Sequence, residues 1–167
     1  MAVALPLLTT SCLDNDEVDY SEWREQNDQY ITQLDKTVYE TVAPDWAPQN
    51  PVYMKWENDR SLTAKNPVPM ANSTVDCIYE VSDINGQVYD QSYSVSNPDS
   101  IFTCMPQNTV IGFEIALLNM HVGDSVSLVI PYVSGYGYTG SGAIPPYTNL
   151  IYKLKLKAIK DFVRPNV

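Results

Sequence analysis

The residues able to do chemistry are few. One histidine, His121, stands among twelve tyrosines, three cysteines and twenty Asp and Glu. A triad-type hydrolase is hard to build from one imidazole, and a lone His without sequence neighbours makes a poor metal site. His121 reads instead as a helix-end residue. The stretch most like a reaction site is GYGYTGSGAIPPYT, residues 135–148, in which Gly135, Gly137 and Gly140 have the G-x-G-x-x-G spacing of a phosphate-binding turn. Such a turn needs a strand before it, a helix after it and an acid about twenty residues on. The strand SVSLVIPY is present, and Asp161 lies at the right distance. The helix is not: SGAIPPYT carries Pro145 and Pro146, which forbid one, and without a helix no dipole can hold a phosphate. The glycines therefore signal a mobile loop rather than a dinucleotide site.

The elements around this loop read mostly as strands. Val52–Trp56 is short and aromatic. Ser73–Val81 alternates, with Val75, Cys77, Tyr79 and Val81 on one face and Asp76 and Glu80 on the other. Asn85-Gly86 signals a tight turn into Gln87–Asp90, and Ser100–Met105 resumes strand character. Ile111–Asn119 has helical spacing at Ile111, Ile115 and Leu118, with Phe113 and Leu117 beside them. Ser125–Tyr132 is a strand with Val126, Leu128 and Ile130 inward. The last strand, residues 149–160, sets Leu150, Tyr152, Leu154 and Leu156 against Lys153, Lys155 and Lys157. Before all of these, Asp19-Tyr-Ser-Glu22 has the form of a capping box. Trp23, Tyr30, Ile31, Leu34 and Val38 follow at helical spacing, which predicts a helical arm through about Val42 packed on the domain. The prolines of APDWAPQNP, residues 43–51, end it. The fold expected is α+β: an antiparallel sheet wrapped over one short helix, with an N-terminal helical arm. Residues 1–12 read as a signal remnant, 13–51 as acidic tether, arm and connector, and 52–162 as the domain.

A net charge of −10 argues against sequence-independent binding to nucleic acid or to an anionic membrane surface. The lysines of the last strand are then a solvated face. Cys77 and Cys104 could pair in an oxidising compartment or serve as small buried hydrophobes; their strand context favours the second. Asn72-Ser73-Thr74 fits the N-glycosylation triplet, a short match that chance produces often. At the start, MAVALPLLTTSC is uncharged, apolar to Leu8, and ends in small residues and Cys12. Leu8–Cys12 resembles the lipobox of Gram-negative bacterial lipoproteins, although no basic segment precedes the apolar run. That resemblance implies lipidation at Cys12, anchoring to the membrane and an outer-membrane location in the cell envelope, facing the periplasm or the surface. The acids after Cys12 read as a solvated tether, and resemble those that sort some lipoproteins to the cell surface.

Taken in order, the motifs resemble those of the FKBP-type peptidyl-prolyl cis-trans isomerases. Asn85-Gly86-Gln87-Val88-Tyr89-Asp90 is similar to that family's D-G-x-x-F-D, and Val110-Ile111-Gly112-Phe113-Glu114 to its V-I-x-G-W-E. Met120-x-Val122-Gly123-Asp124 resembles its M-x-x-G turn, Tyr136-Gly137 its Y-G, and Ile144-Pro145-Pro146 its flap. The likeness runs from about Thr74 to Ile159. It implies a prolyl isomerase that assists folding of exported proteins, needs no cofactor or metal, takes Xaa-Pro segments and is open to macrolide-type inhibitors. It also implies roles for single residues. Tyr79, Asp90, Val110 and Tyr136 would act on the substrate: Asp90 as the pocket acid, Val110 through its backbone N–H, Tyr136 through its hydroxyl. Tyr79 would also be a wall, with Tyr89 and Phe102; Phe113 and Tyr152 would be floor, and Ile144 the flap residue over the proline.

Four departures from the family pattern bear on activity. Ser100 stands where a wall Phe is usual, Val81 replaces a Gly, Ala143 is small for a flap residue, and the flap is one residue shorter. A non-catalytic chaperone or peptide-binding module with a degenerate pocket is the alternative function. For the individual residues, Tyr79, Phe113 and Tyr152 would be apolar in any protein of this fold, and Asp90 could be only a turn acid.

Overall fold

The computed structural model describes residues 18–94, 96–97 and 100–161. Cys12 and the rest of the expected signal segment and acidic tether up to Glu17 lie outside that range.

The alternation of the last strand dictates its place. In β7, Leu150–Asp161, residues Leu150, Tyr152, Leu154 and Leu156 are buried while Lys153, Lys155 and Lys157 point to solvent. A strand with so regular a buried face sits mid-sheet. β3 (Thr74–Ser82) pairs along one edge of β7 from Thr74↔Asp161 to Ser82↔Ile151. β6 (Ser125–Ile130) pairs along the other, from Ser125↔Lys155 to Ile130↔Leu150. Outside β6 lie β2 (Val52–Trp56) and then β1 (Glu40–Val42). The far edge of β3 is shared: β5 (Phe102–Cys104) takes Val75–Cys77, and β4 (Val88–Gln91) takes Glu80–Ser82. Every pairing is antiparallel, in the order β1-β2-β6-β7-β3-β4 with β5 beside β3.

One short helix, α2 (Ile111–Leu118), lies in the concave face of this sheet and forms the core with it. Its buried residues are Gly112, Phe113, Ile115, Ala116 and Leu117, whereas Ile111 and Leu118, expected on the inward stripe, are half-buried. The stripe is turned because Gly112 sets the closest approach. A Cβ there would lie 2.3 Å from Ile130 Cγ2 and 3.0 Å from the Ser134 carbonyl oxygen, so only glycine lets α2 settle onto β6.

The N-terminal arm departs most from expectation. α1 runs only Ser21–Gln33, not to Val42; Leu34 is already extended. Asp35 ends it by accepting from the Thr37 N–H and hydroxyl in a local turn, and Glu40–Val42 becomes β1 on the sheet. Ladder hydrogen bonds to Val52–Met54 outweigh the helical period of the intervening residues. The sheet thus takes in residues expected in the connector. Nor does a capping box form: Tyr20 holds the N-cap position without a side-chain bond, and Asp19 accepts from the Ser21 N–H at 2.9 Å. The expected apolar stripe is only half-buried at Trp23, Tyr30, Ile31 and Leu34, and Val38 is exposed. The helix is seated by a fully buried Asn27. The Asn149 N–H donates to Asn27 Oδ1 at 2.8 Å, Asn149 Nδ2 to the Asn27 carbonyl at 2.7 Å, and Trp23 Nε1 to Thr148 Oγ1 at 3.0 Å.

Cys77 and Cys104 are free thiols on the core face of adjacent strands, diagonal to each other in the register Cys77↔Phe102 and Val75↔Cys104. A hydrogen bond with Cys104, together with burial, holds the Cys77 thiol well above its ordinary range, so it stays protonated. His121 follows α2 and contacts Arg60 and Asp124. Among the described residues, no helix is long and apolar enough to cross a membrane, and no three His, Cys, Asp or Glu side chains are grouped to hold a metal ion.

Candidate active site

Between α2, the inner face of β3 and β7, and the loop 135–148 lies an open cavity of about 610 Å³. Tyr79, Asp90, Val110, Tyr136, Tyr89, Phe102, Phe113, Ile144 and Tyr152 all line it. The fold brings these nine residues together from β3, β4, β5, α2, the 135–148 loop and β7.

The floor is aromatic because three core-facing positions converge there. Phe113 from the first turn of α2 and Tyr152 from β7 are almost fully buried, with ring centroids 5.1 Å apart. Tyr79 of β3 completes a triangle, 6.2 Å from Phe113 and 5.9 Å from Tyr152. Phe102 meets Tyr79 edge-on at 5.2 Å and is partly exposed, forming the rim. Edge-to-face and tilted contacts of this kind add to the burial energy of each ring and fix their orientation.

Polar groups are sparse and directed. The Tyr79 hydroxyl donates to Asp90 Oδ2 at 2.5 Å. Burial first, then this carboxylate, holds the Tyr79 phenol well above its ordinary pKa. Burial does the same to Tyr152, reinforced by Tyr136, Tyr79 and Asp90. Tyr89 donates to Asp83 Oδ2 at 3.2 Å and is pushed up to about 12 by partial burial and the Asp83 charge. Asp83 earns its buried position twice, since its other oxygen accepts from the Asn85 and Gln87 N–H groups and so builds the β3–β4 turn. All three phenols remain donors at neutral pH.

Val110 is the N-cap residue of α2, with extended backbone (φ −63°, ψ 146°). Its carbonyl accepts from the Phe113 and Glu114 N–H groups, while its own N–H donates to no acceptor among the described residues. A free donor at the mouth of an apolar cavity can hold a substrate carbonyl.

The loop is a folded flap. Ser141 and Ile144 exchange backbone hydrogen bonds of 2.9 Å around Gly142-Ala143. Gly140 adopts φ +69°, and a Cβ on it would lie 2.2 Å from the Ile144 carbonyl oxygen. The glycine that resembled part of a phosphate cradle instead lets the chain fold back under the Pro-Pro pair. Of the departures noted in the sequence, Val81 and Ala143 do line the cavity. Asn108, Thr109 and Ser141 line it too and were missed, since small polar loop residues carry no periodic signal.

A family model described as FKBP-type peptidyl-prolyl cis-trans isomerase matches residues 65–157. The macrophage infectivity potentiator of Trypanosoma cruzi is 40% identical over 78 residues, 46% of this chain and 38% of that protein. The FKBP-type 22 kDa peptidyl-prolyl cis-trans isomerase of Escherichia coli K12 is 35% identical over 94 residues, 55% of this chain and 44% of that one. This chain therefore spans less than half the length of these relatives. Among solved structures, a peptidyl-prolyl cis-trans isomerase from Pseudomonas syringae superimposes with a TM-score of 0.70 at 23% identity, covering 87% of this chain and 98% of that one. That likeness supports the fold.

Proposed function

Because the chain belongs to the FKBP-type peptidyl-prolyl cis-trans isomerase family, we propose that its aromatic cavity accelerates cis-trans isomerisation of Xaa-Pro bonds in polypeptides. The barrier to that rotation, ~18–20 kcal/mol, comes from amide resonance, and uncatalysed exchange takes tens to hundreds of seconds. The twisted amide is less dipolar than the planar one. A cavity floored by Phe113, Tyr152 and Tyr79 disfavours the planar ground state more than the twisted transition state. The Val110 N–H holds the substrate carbonyl, Tyr136 adds a hydroxyl donor, and Asp90 fixes the Tyr79 ring. Tyr89 and Phe102 wall the proline ring, and Ile144 covers it. No nucleophile, metal or cofactor takes part.

The observation that carries this reading is the convergence of one free backbone donor and four packed aromatic rings on a single cavity. It is tested by exchange in an Xaa-Pro peptide with the purified protein. Tyr136→Phe and Asp90→Ala should each lower the rate several-fold, as expected for one lost hydrogen bond of ~1 kcal/mol. Lys155→Ala, on the outer face of β7, should not. Unchanged rates in both cavity variants would place the chemistry elsewhere. Peptide binding without any acceleration would establish the binding-module alternative, which Val81 on the cavity wall favours by narrowing it where the family has glycine.

We further propose that the enzyme is lipidated at Cys12, anchored to the outer membrane of a Gram-negative cell, acts there on exported proteins during folding, and accepts macrolide-type inhibitors in the same cavity. The Leu8–Cys12 motif supports the anchor. Cys12→Ala should move the protein out of the membrane fraction, and continued membrane association would refute it.

A further inference from the structure

The flap has two faces. Tyr136 and Ile144 line the candidate active site, but Tyr138, Pro146 and Tyr147, two or three residues further along, line a second groove of about 820 Å³ against the start of α1. Val18, Asp19 and Arg24 form its opposite wall. The groove is built from interlocked rings. Tyr138 and Tyr147 lie 5.6 Å apart edge-on, and both pack edge-on against the buried Tyr132, at 5.7 and 5.6 Å. The Arg24 guanidinium sits 5.2 Å from the Tyr147 ring centroid. Tyr138 is 61% exposed, so the rail is open to solvent.

Two further features show that this shape is imposed. Tyr147 has φ +62°, alone among the described non-glycine residues in being positive, and its N–H is tied to the Gly137 carbonyl at 3.0 Å. A bulky side chain held in that conformation is strained, and the surroundings must offset the strain. They do so through the Asn27–Asn149 and Trp23–Thr148 hydrogen bonds, which fasten α1 directly behind Tyr147.

We propose that this groove is an exosite for the substrate polypeptide, holding the extended segment that flanks the prolyl bond, with a preference for proline and aromatic side chains. The flap borders both volumes, through Tyr136 and Ile144 on the cavity and Tyr138, Pro146 and Tyr147 on the groove. Ile144 and Pro146, like Tyr136 and Tyr138, are two residues apart, and an extended chain covers at most ~3.3–3.6 Å per residue. A substrate proline in the cavity therefore places residues some three or four positions away over the tyrosine rail. Exposed aromatic rails suit extended, proline-containing segments, which lose little conformational entropy on docking. One short segment thus carries both surfaces, which is why a flanking piece of the substrate is the occupant rather than an independent ligand.

This inference rests on the isomerase reading, and the test separates the two. Exchange rates are measured for a four-residue Xaa-Pro peptide and for a peptide of about a dozen residues with proline and tyrosine in both flanks. Tyr138→Ala should lower kcat/KM for the long peptide about fivefold relative to the short one, mainly through KM, the effect of losing one aromatic contact. An unchanged ratio, or an equal fall for both peptides, overturns the exosite. If the wild-type protein accelerates neither peptide, the isomerase reading fails, and binding of the labelled long peptide decides the groove by itself. A several-fold weaker affinity in Tyr138→Ala sustains it, and equal affinity overturns it.

Discussion

Asn27→Ala tests whether α1 is part of the folded unit or an appendage. Asn27 is fully buried, and its side chain makes two bonds: Oδ1 accepts from the Asn149 N–H at 2.8 Å, and Nδ2 donates to the Trp23 carbonyl at 2.8 Å. Truncation leaves the Asn149 N–H buried without a partner, a cost of about 1–3 kcal/mol, and forfeits the second bond at about 1 kcal/mol. Alanine's better helix propensity returns about 0.5 kcal/mol. The net loss is about 1.5–3.5 kcal/mol. For a chain of this length, each kcal/mol shifts Tm by roughly 2–4 °C, so the expected fall is about 3–14 °C. Thermal unfolding followed by circular dichroism measures it, with Gln26→Ala on the exposed face of the same helix as the comparison. A single transition lowered in Asn27→Ala and nearly unmoved in Gln26→Ala is the expected result. A shift no larger than that of Gln26→Ala would refute the claim that the buried amide pair holds α1 to the flap.

Two other outcomes follow from the packing and the electrostatics. Gly112→Ala should lower the urea midpoint, by about 1–3 kcal/mol of overpacking against Ile130, although alanine is the better helix former; an unchanged or higher midpoint would contradict the close approach of α2 to β6. On the alkaline side, Tyr89 titrates near 12 in the folded chain against 10.0 ordinarily, and Tyr79 and Tyr152 shift in the same direction. The folded state then binds more protons than the unfolded one above the ordinary value. Their contribution is complete below about pH 10 and is lost as pH rises towards 12. Tyrosinate absorbance read beside the urea midpoint should show late-titrating phenols and a falling midpoint across that window; a flat midpoint would refute the shifts.

Much of the fold was legible from local pattern. The alternation of Leu150, Tyr152, Leu154 and Leu156 with lysines dictates a strand with one buried face, and Asn85-Gly86 dictates a turn, because period and backbone freedom are properties of the chain itself. Pro145 and Pro146 likewise excluded the phosphate site without any structure, since neither proline can donate to a helix. The ordered set of motifs from Thr74 to Ile159 was enough to name the nine residues that line one cavity. What the sequence could not disclose depends on partners far along the chain. Glu40–Val42 leaves its helical period because β2 offers a ladder, and α1 is seated by Asn27 because its acceptor faces an N–H 122 residues away. The inward face of α2 is turned by one contact between Gly112 and Ile130. The second face of the flap, with Tyr132 and Tyr138 gathered around a strained Tyr147, exists only once α1 is in place. Polar contacts and close approaches of this kind have no periodicity to read, and their energy appears only when distant segments meet.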